Sequence, residues 1–178
     1  MEFQELLHRR QSCRAYDLNR PVEREKLLYC LEAARLSPSA CNSQPYHLTA
    51  CTGELVRQVA PLVQGEGHNG FAIQVPCFVV ISEAPYNSSA AMHARLTGRD
   101  YRSMDIGIAA AHLTLAAADQ GLGSCLLGWF DEEKLRTLLG LEGEVRLVMA
   151  LGYARPGDPL RKKVRPSLRQ LADLMEDD

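Results

Sequence analysis

RLSPSACNSQPYHL, residues 35–48, interrupts two patterns at once. Before it, Pro21 and the run VEREKLLYCLEAARL read as a helix with Leu27, Leu28, Leu31 and Ala34 on one face. After it, YHLTAC (46–51) reads as a strand launched by Pro45. Between them the chain carries small or polar residues and proline, so a helix stops, a loop of bare backbone intervenes and a strand begins.

The same change of period recurs along the chain. EFQELLHRR predicts a short N-terminal helix, and GELVRQVAPLV predicts one with Leu55, Val59 and Leu62 on one side. CFVVIS reads as a buried strand, while GSCLLGWF and EVRLVMALGY read as strands flanking the helix DEEKLRTLLG. SMDIGIAAAHLTLAAADQ (103–120) has small or apolar residues on nearly every face and predicts a central helix buried on most sides. PSLRQLADLM predicts a last helix, and residues 83–101 read as polar and irregular, including an NSS tripeptide taken as loop. With no linker and no repeat, residues 1–178 read as a single α+β or α/β domain.

Composition narrows the function classes. The 178 residues include 20 basic and 22 acidic side chains, for a net charge of −2, so the chain as a whole offers little attraction to nucleic acid or an anionic membrane. No apolar run approaches the roughly 20 residues of a membrane span, and MEFQELLHRRQSC lacks a signal-type apolar stretch; a cytoplasmic location is the expectation. Cys13, Cys30, Cys41, Cys51, Cys77 and Cys125 are scattered without a CxxC pair, which favours reduced thiols. The histidines form neither HxxxH nor HExxH, which argues against zinc.

GEGHNG (65–70) matches the letters of a dinucleotide-binding G-x-G-x-x-G, but a helical pattern precedes it and a strand follows, the reverse of the order that places a pyrophosphate on a helix N-terminus. It reads as a turn. GLGSC has the same reversed order, and Gly121 reads as a helix C-terminal cap with positive φ. Two basic runs remain at opposite ends of the chain: Arg9, Arg10 and Arg14 around Ser12, and Arg161, Lys162, Lys163 and Arg165. Together they present the cations and hydroxyl that a phosphomonoester needs, provided the fold joins them.

RQSCRAY near the start, LSPSACNSQPYH, DIGIAAAHLTLAAADQGLGSCLLGWFDEEKL, and LGY followed by KKVRPSL make the chain resemble the nitroreductase-like flavoproteins over almost its whole length. The resemblance implies an α+β nitroreductase-like fold, with a central, mostly antiparallel sheet flanked by helices, in an intertwined homodimer that binds FMN at its interface. It implies electron transfer from NADH or NADPH to a nitroaromatic, quinone or similar small acceptor.

Residue by residue, the resemblance assigns phosphate and ribityl contacts to Arg10, Ser12, Lys163 and Arg165, with Gln11 as a polar donor. Arg14 matches the cation at the pyrimidine edge, where reduction places negative charge on N1 and O2. Pro38, Ser39, Ala40 and Asn42 match contacts made to the flavin of the other subunit, where small side chains let backbone approach the ring; Gln44 holds that loop. For Asn42 and Gln44 the competing reading is hydrogen bonding within the loop. Leu126, Leu127 and Gly128 match a strand end passing the flavin, and Asn69 a polar contact to the ring.

The implied mechanism is ping-pong, with hydride passing to flavin N5 and no side chain acting as catalyst. Tyr46 departs from the pattern, which commonly has Trp there, and residues 83–101 are brief where longer members place covering helices. Two other classes share these residues. One is a flavin-binding sensor or carrier without turnover, separable by bleaching with NAD(P)H; the other is a nucleic-acid binder using both basic runs, colourless and salt-sensitive.

Overall fold

In the computed structural model, which describes residues 2–65 and 67–175, four strands pair as one fully antiparallel sheet. They are β1 (Tyr46–Cys51), β2 (Cys77–Glu83), β3 (Gly123–Leu127) and β4 (Val145–Gly152), ordered β1-β2-β4-β3. The helices are α1 (Phe3–Arg9), α2 (Arg24–Arg35), α3 (Glu54–Gln64), α4 (Ser88–Thr97), α5 (Arg102–Asp119), α6 (Glu132–Leu139) and α7 (Leu168–Leu171), with 3-10 turns at Ala40–Asn42 and Gly70–Gln74.

Alternation along the strands divides the core into two layers. Phe78 and Val80 of β2, with Val148 and Ala150 of β4, pack under α3 and α6 through Val59, Val63 and Leu135. Cys77, Val79 and Ile81, with Met149 and Leu151, face the opposite way onto α2 and α5 through Cys30, Ala34, Ile106, Ala109 and Leu113. Helices therefore cover both faces of an antiparallel sheet, which is why CFVVIS is an unbroken apolar run rather than an alternating one.

Several expectations need correction. Residues 83–101 are not irregular throughout, because α4 lies within them: the Asn87 side chain accepts the Ala90 N–H at 2.9 Å and Gly98, at φ 67°, ends the helix. Only Ala90 of α4 is buried, so its apolar period is faint. The last helix shrinks to Leu168–Leu171, started by a Ser167–Gln170 capping box and burying none of its residues. The GSCLLGWF strand ends at Leu127. On α3 the buried residues are Val56, Val59, Ala60 and Val63, with Leu55 and Leu62 at the margin, and on α2 Leu28 is half-exposed. The central helix α5 leaves one stripe open, with Ser103, Met104, Gly107, Ile108 and Ala111 all exposed.

Gly121 has the expected positive φ, at 73° beyond the end of α5. Cys13, Cys30, Cys51, Cys77 and Cys125 are buried free thiols and Cys41 is exposed. Among the described residues no helix is long and apolar enough to cross a membrane, and no group of three His, Cys, Asp or Glu could hold a metal ion.

Candidate functional site

After α1 the chain runs beside β3. Ser12 bridges to Ser124 in parallel register, the Cys13 N–H donates to Ser124 O at 2.9 Å, and Tyr16 bridges to Ala154. A Cβ on Gly123 would lie 2.7 Å from that of Cys13, so this approach requires glycine. Residues 159–163 then fold back over the same segment. Gln11 Nε2 donates to Pro159 O at 3.1 Å, the Arg161 N–H to Gln11 Oε1 at 2.9 Å, Arg161 Nη2 to Ser12 O at 2.7 Å, and Lys163 Nζ to Arg10 O.

This lacing brings the two basic runs together. The Lys163 ammonium is pushed below its ordinary pKa, first by partial burial and then by Arg10 and Arg165 beside it. Three cations thus lie together. Arg9 is neutralised by Glu5 at 3.1 Å and Arg161 by Asp158 at 3.4 Å, but the Arg10 and Arg14 side chains have no protein partner among the described residues. The Ser12 hydroxyl reaches Cys125, whose thiol burial nevertheless holds above its usual pKa. A cleft of about 370 Å³ opens alongside, walled by Arg10, Gln11, Gly123, Ser124 and Ala118. Unneutralised cations in a chain of net charge −2 fit a phosphate dianion.

The loop of small residues is built separately. Cys41, Asn42 and Gln44 all have positive φ, at 50°, 51° and 43°. Ser39 Oγ accepts from Gln44 N and Gln44 Nε2 at 2.9 and 3.0 Å, and Gln44 Nε2 also donates to Asn42 Oδ1 at 2.6 Å. These side chains therefore bond within the loop. From outside, Asn87 Nδ2 donates to Cys41 O at 3.0 Å, its N–H donates to Ser43 Oγ at 2.9 Å, and the Ala40 N–H donates to Asp105 Oδ1 at 3.0 Å. Pro38 and Asn42 are left exposed and Ser39 and Ala40 half-buried.

Helix α5 measures the distance between the two features. Asp105, in its first turn, holds the loop, whereas Ala118, near its end, walls the cleft beside Arg10. At about 1.5 Å per residue they lie roughly 20 Å apart along the axis. One chain presents the loop and the cation cluster at opposite ends of the same helix.

The other candidates sit around β3. Leu126 is exposed, Leu127 buried and Gly128 exposed where the strand ends. Asn69 Nδ2 donates to Val63 O at 2.9 Å and Trp129 O at 3.1 Å, so both amide hydrogens tie α3 to the β3–α6 turn. Trp129 packs on Gly65, where a Cβ would lie 2.2 Å from its Cδ1. The sequence reading missed Asp105 and Asn87. Their signals were an acid in the first turn of a largely apolar helix and an Asn ahead of a helix start.

The Nitroreductase family model matches residues 7–69 and 64–153. The oxygen-insensitive NADPH nitroreductase of Helicobacter acinonychis (strain Sheeba) is 26% identical over 185 residues, spanning 83% of this chain and 85% of that protein. Among solved structures, a nitroreductase family protein of Streptococcus pneumoniae TIGR4 superposes with a TM-score of 0.81 at 22% identity, over 98% of this chain and 100% of that one. The FMN-dependent nitroreductase NfnB of Mycobacterium smegmatis, solved in complex with NADPH, gives 0.79 at 18% identity, over 97% of each chain.

Proposed function

The chain belongs to the nitroreductase family, and we propose that residues 1–178 form one FMN-binding domain of a cytoplasmic, homodimeric NAD(P)H oxidoreductase acting on nitroaromatic, quinone-like or similar acceptors. The observation that carries this reading is the meeting of Arg10, Lys163 and Arg165: Lys163 Nζ donates to the Arg10 carbonyl, the pKa of its ammonium is lowered first by partial burial and then by the two guanidiniums, and a phosphate would relieve their repulsion.

In this reading Arg10, Ser12, Lys163 and Arg165 hold the phosphate and ribityl chain, and Gln11, already fastened to Pro159 and Arg161, fixes the backbone between them. Arg14, exposed and without an ion-pair partner among the described residues, places a fixed positive charge at the pyrimidine edge. Leu126, Leu127 and Gly128 line the ring, and Asn69 offers its remaining Oδ1. Pro38, Ser39, Ala40 and Asn42 reach the flavin held by a second copy, because within one chain they stand roughly 20 Å along α5 from the cations. Two α5 helices packed antiparallel through the Met104, Gly107, Ile108 and Ala111 stripe would bring the loop of each copy toward the cations of the other.

When bound, FMN supplies the two-electron chemistry, oxidising NADH or NADPH and reducing the acceptor in a ping-pong cycle. The protein orients the reactants, neutralises the phosphate and admits backbone to the ring through small side chains. No side chain is assigned as proton donor, and water fills that role.

The absorption spectrum of the purified protein tests the class. A flavin spectrum that NADH or NADPH bleaches and a quinone restores is the expected result. A colourless protein that takes up no added FMN refutes the reading, and retained flavin that neither nucleotide bleaches reduces it to a binding module.

A further inference from the structure

We propose that Asp105 is a positioning residue for flavin binding: its carboxyl sets the shape of the 38–44 loop through the Ala40 N–H. The inference rests on the flavin reading above and deepens it. Asp105 is 3% exposed, in the first turn of the most apolar helix of the chain. Its Oδ1 accepts the Ala40 N–H at 3.0 Å, and its Oδ2 is buried with no partner among the described residues. A polar group in such a position is retained at a free-energy cost unless its hydrogen bond matters. Among the described residues, the only hydrogen bond of the carboxyl goes to one backbone amide of one loop.

That loop needs an external anchor. Cys41, Asn42 and Gln44 hold left-handed φ values that non-glycine residues adopt reluctantly, and such conformations persist only where their surroundings over-determine them. Asn87 grips the loop at Cys41 and Ser43, and the bonds among Ser39, Asn42 and Gln44 close it internally. Neither of these reaches the Ala40 N–H, although the Ala40 carbonyl accepts the Ser43 N–H at 3.0 Å. Asp105 does, at the start of the 3-10 turn and between two of the side chains assigned to the flavin. It also ties the loop to α5, the helix whose open stripe is assigned to the second copy. Asp105 thereby couples the loop to the surface that delivers it.

The test uses the full chain with Asp105→Ala and Asp105→Asn. Asn keeps an acceptor at the Oδ1 position, and because Oδ2 has no partner it removes no other hydrogen bond. Amide hydrogen exchange of Ala40, Asn42 and Ser43 in the FMN-free protein is read beside FMN affinity by titration. Asp105→Ala is expected to speed these amides and to weaken FMN by about ten- to a hundredfold, with the core strands still protected, whereas Asp105→Asn stays within about threefold of wild type.

Should Asp105→Ala fail to fold, Ala40→Pro removes the same bond from the donor side. Ser39 already has the extended conformation that a following proline requires, φ −147° and ψ 157°. The Asn42 and Ser43 amides of that variant are expected to exchange faster. Unchanged loop protection in the folded variant overturns the proposal, as does unchanged FMN affinity in Asp105→Ala, or loss of protection and affinity in Asp105→Asn equal to that in Asp105→Ala. Absence of FMN binding by the wild type instead overturns the flavin reading, and the exchange measurement still decides whether Asp105 shapes the loop.

Discussion

Lys163 donates from Nζ to the carbonyl oxygen of Arg10 across 153 positions of sequence, and this bond sets two like charges side by side. A phosphate between them turns repulsion into two charge-assisted hydrogen bonds, each worth about 1.5–3 kcal/mol. Arg165→Ala is therefore expected to weaken FMN by about ten- to a hundredfold, with the loss growing as salt is lowered. Fluorescence titration of FMN-free protein at two ionic strengths measures this; unchanged affinity would remove Arg165 from the phosphate site.

Arg14 should behave differently. The phosphate charge is the same in both redox states, whereas the negative charge that Arg14 is assigned to face exists only after reduction. Arg14→Ala is expected to lower the two-electron potential of bound flavin by some tens of millivolts, since about 1.4 kcal/mol corresponds to 30 mV. The Arg165→Ala potential should remain near wild type. Potentiometric titration of both variants decides it, and equal potentials for wild type and Arg14→Ala would exclude Arg14 from the pyrimidine edge.

The buried thiols make a prediction about pH. Burial pushes Cys30 and Cys51 up to about 11 and Cys77 up to about 12, from an ordinary value of 9.0. In the unfolded chain these thiols ionise near 9 while the folded chain keeps them protonated, so the unfolded state binds fewer protons above that pH. Their contribution to stability is complete below about pH 9 and is lost as pH rises toward 11, on the order of 2 kcal/mol for each of Cys30 and Cys51. Urea midpoints at pH 8 and pH 10.5 should show that fall. At pH 8 a disulfide reagent should find Cys41 as the single fast thiol of the native protein, and FMN should slow it; several fast thiols would contradict the packing around β2.

Ile108→Glu places a carboxylate in the open stripe of α5. Among the exposed members of that stripe, Met104 is 57% and Ile108 37% accessible in the single chain. If two copies meet there, the variant should sediment as a monomer and lose FMN together, because on the proposed assignment each flavin draws on both chains. An FMN-loaded dimer of Ile108→Glu would place the interface elsewhere.

Strand and helix order was legible wherever burial left an apolar signature in the sequence, as in the unbroken run CFVVIS and the α5 run. Helix α4 was not, because it is specified by Asn87 at one end and Gly98 at the other, with Ala90 alone buried between them. For the same reason PSLRQLADLM promised more helix than Leu168–Leu171, since nothing in the described chain packs on it to extend the turn. The two basic runs were visible as composition, but the bonds from Arg161 to Ser12 and from Lys163 to Arg10 depend on the chain returning past β4. The separation of loop and cations along α5 could not be read locally, because it depends on which end of the helix each distant segment reaches.

If residues 10–13 and 159–163 together hold the flavin phosphate, as proposed, their meeting also governs when during biosynthesis the chain can acquire its cofactor. The sheet and both core layers are complete once Tyr153 has been made, so a nascent chain ending there has its hydrophobic framework but only the N-terminal half of the anion cradle. On the proposed assignment, flavin capture would wait for Lys163 and Arg165 to leave the ribosome and for the segment around Arg161 to fold back across Gln11. Cofactor loading would then act as a check that the chain has been made past Arg165, stabilising such chains by mass action and leaving shorter ones colourless and easier to degrade.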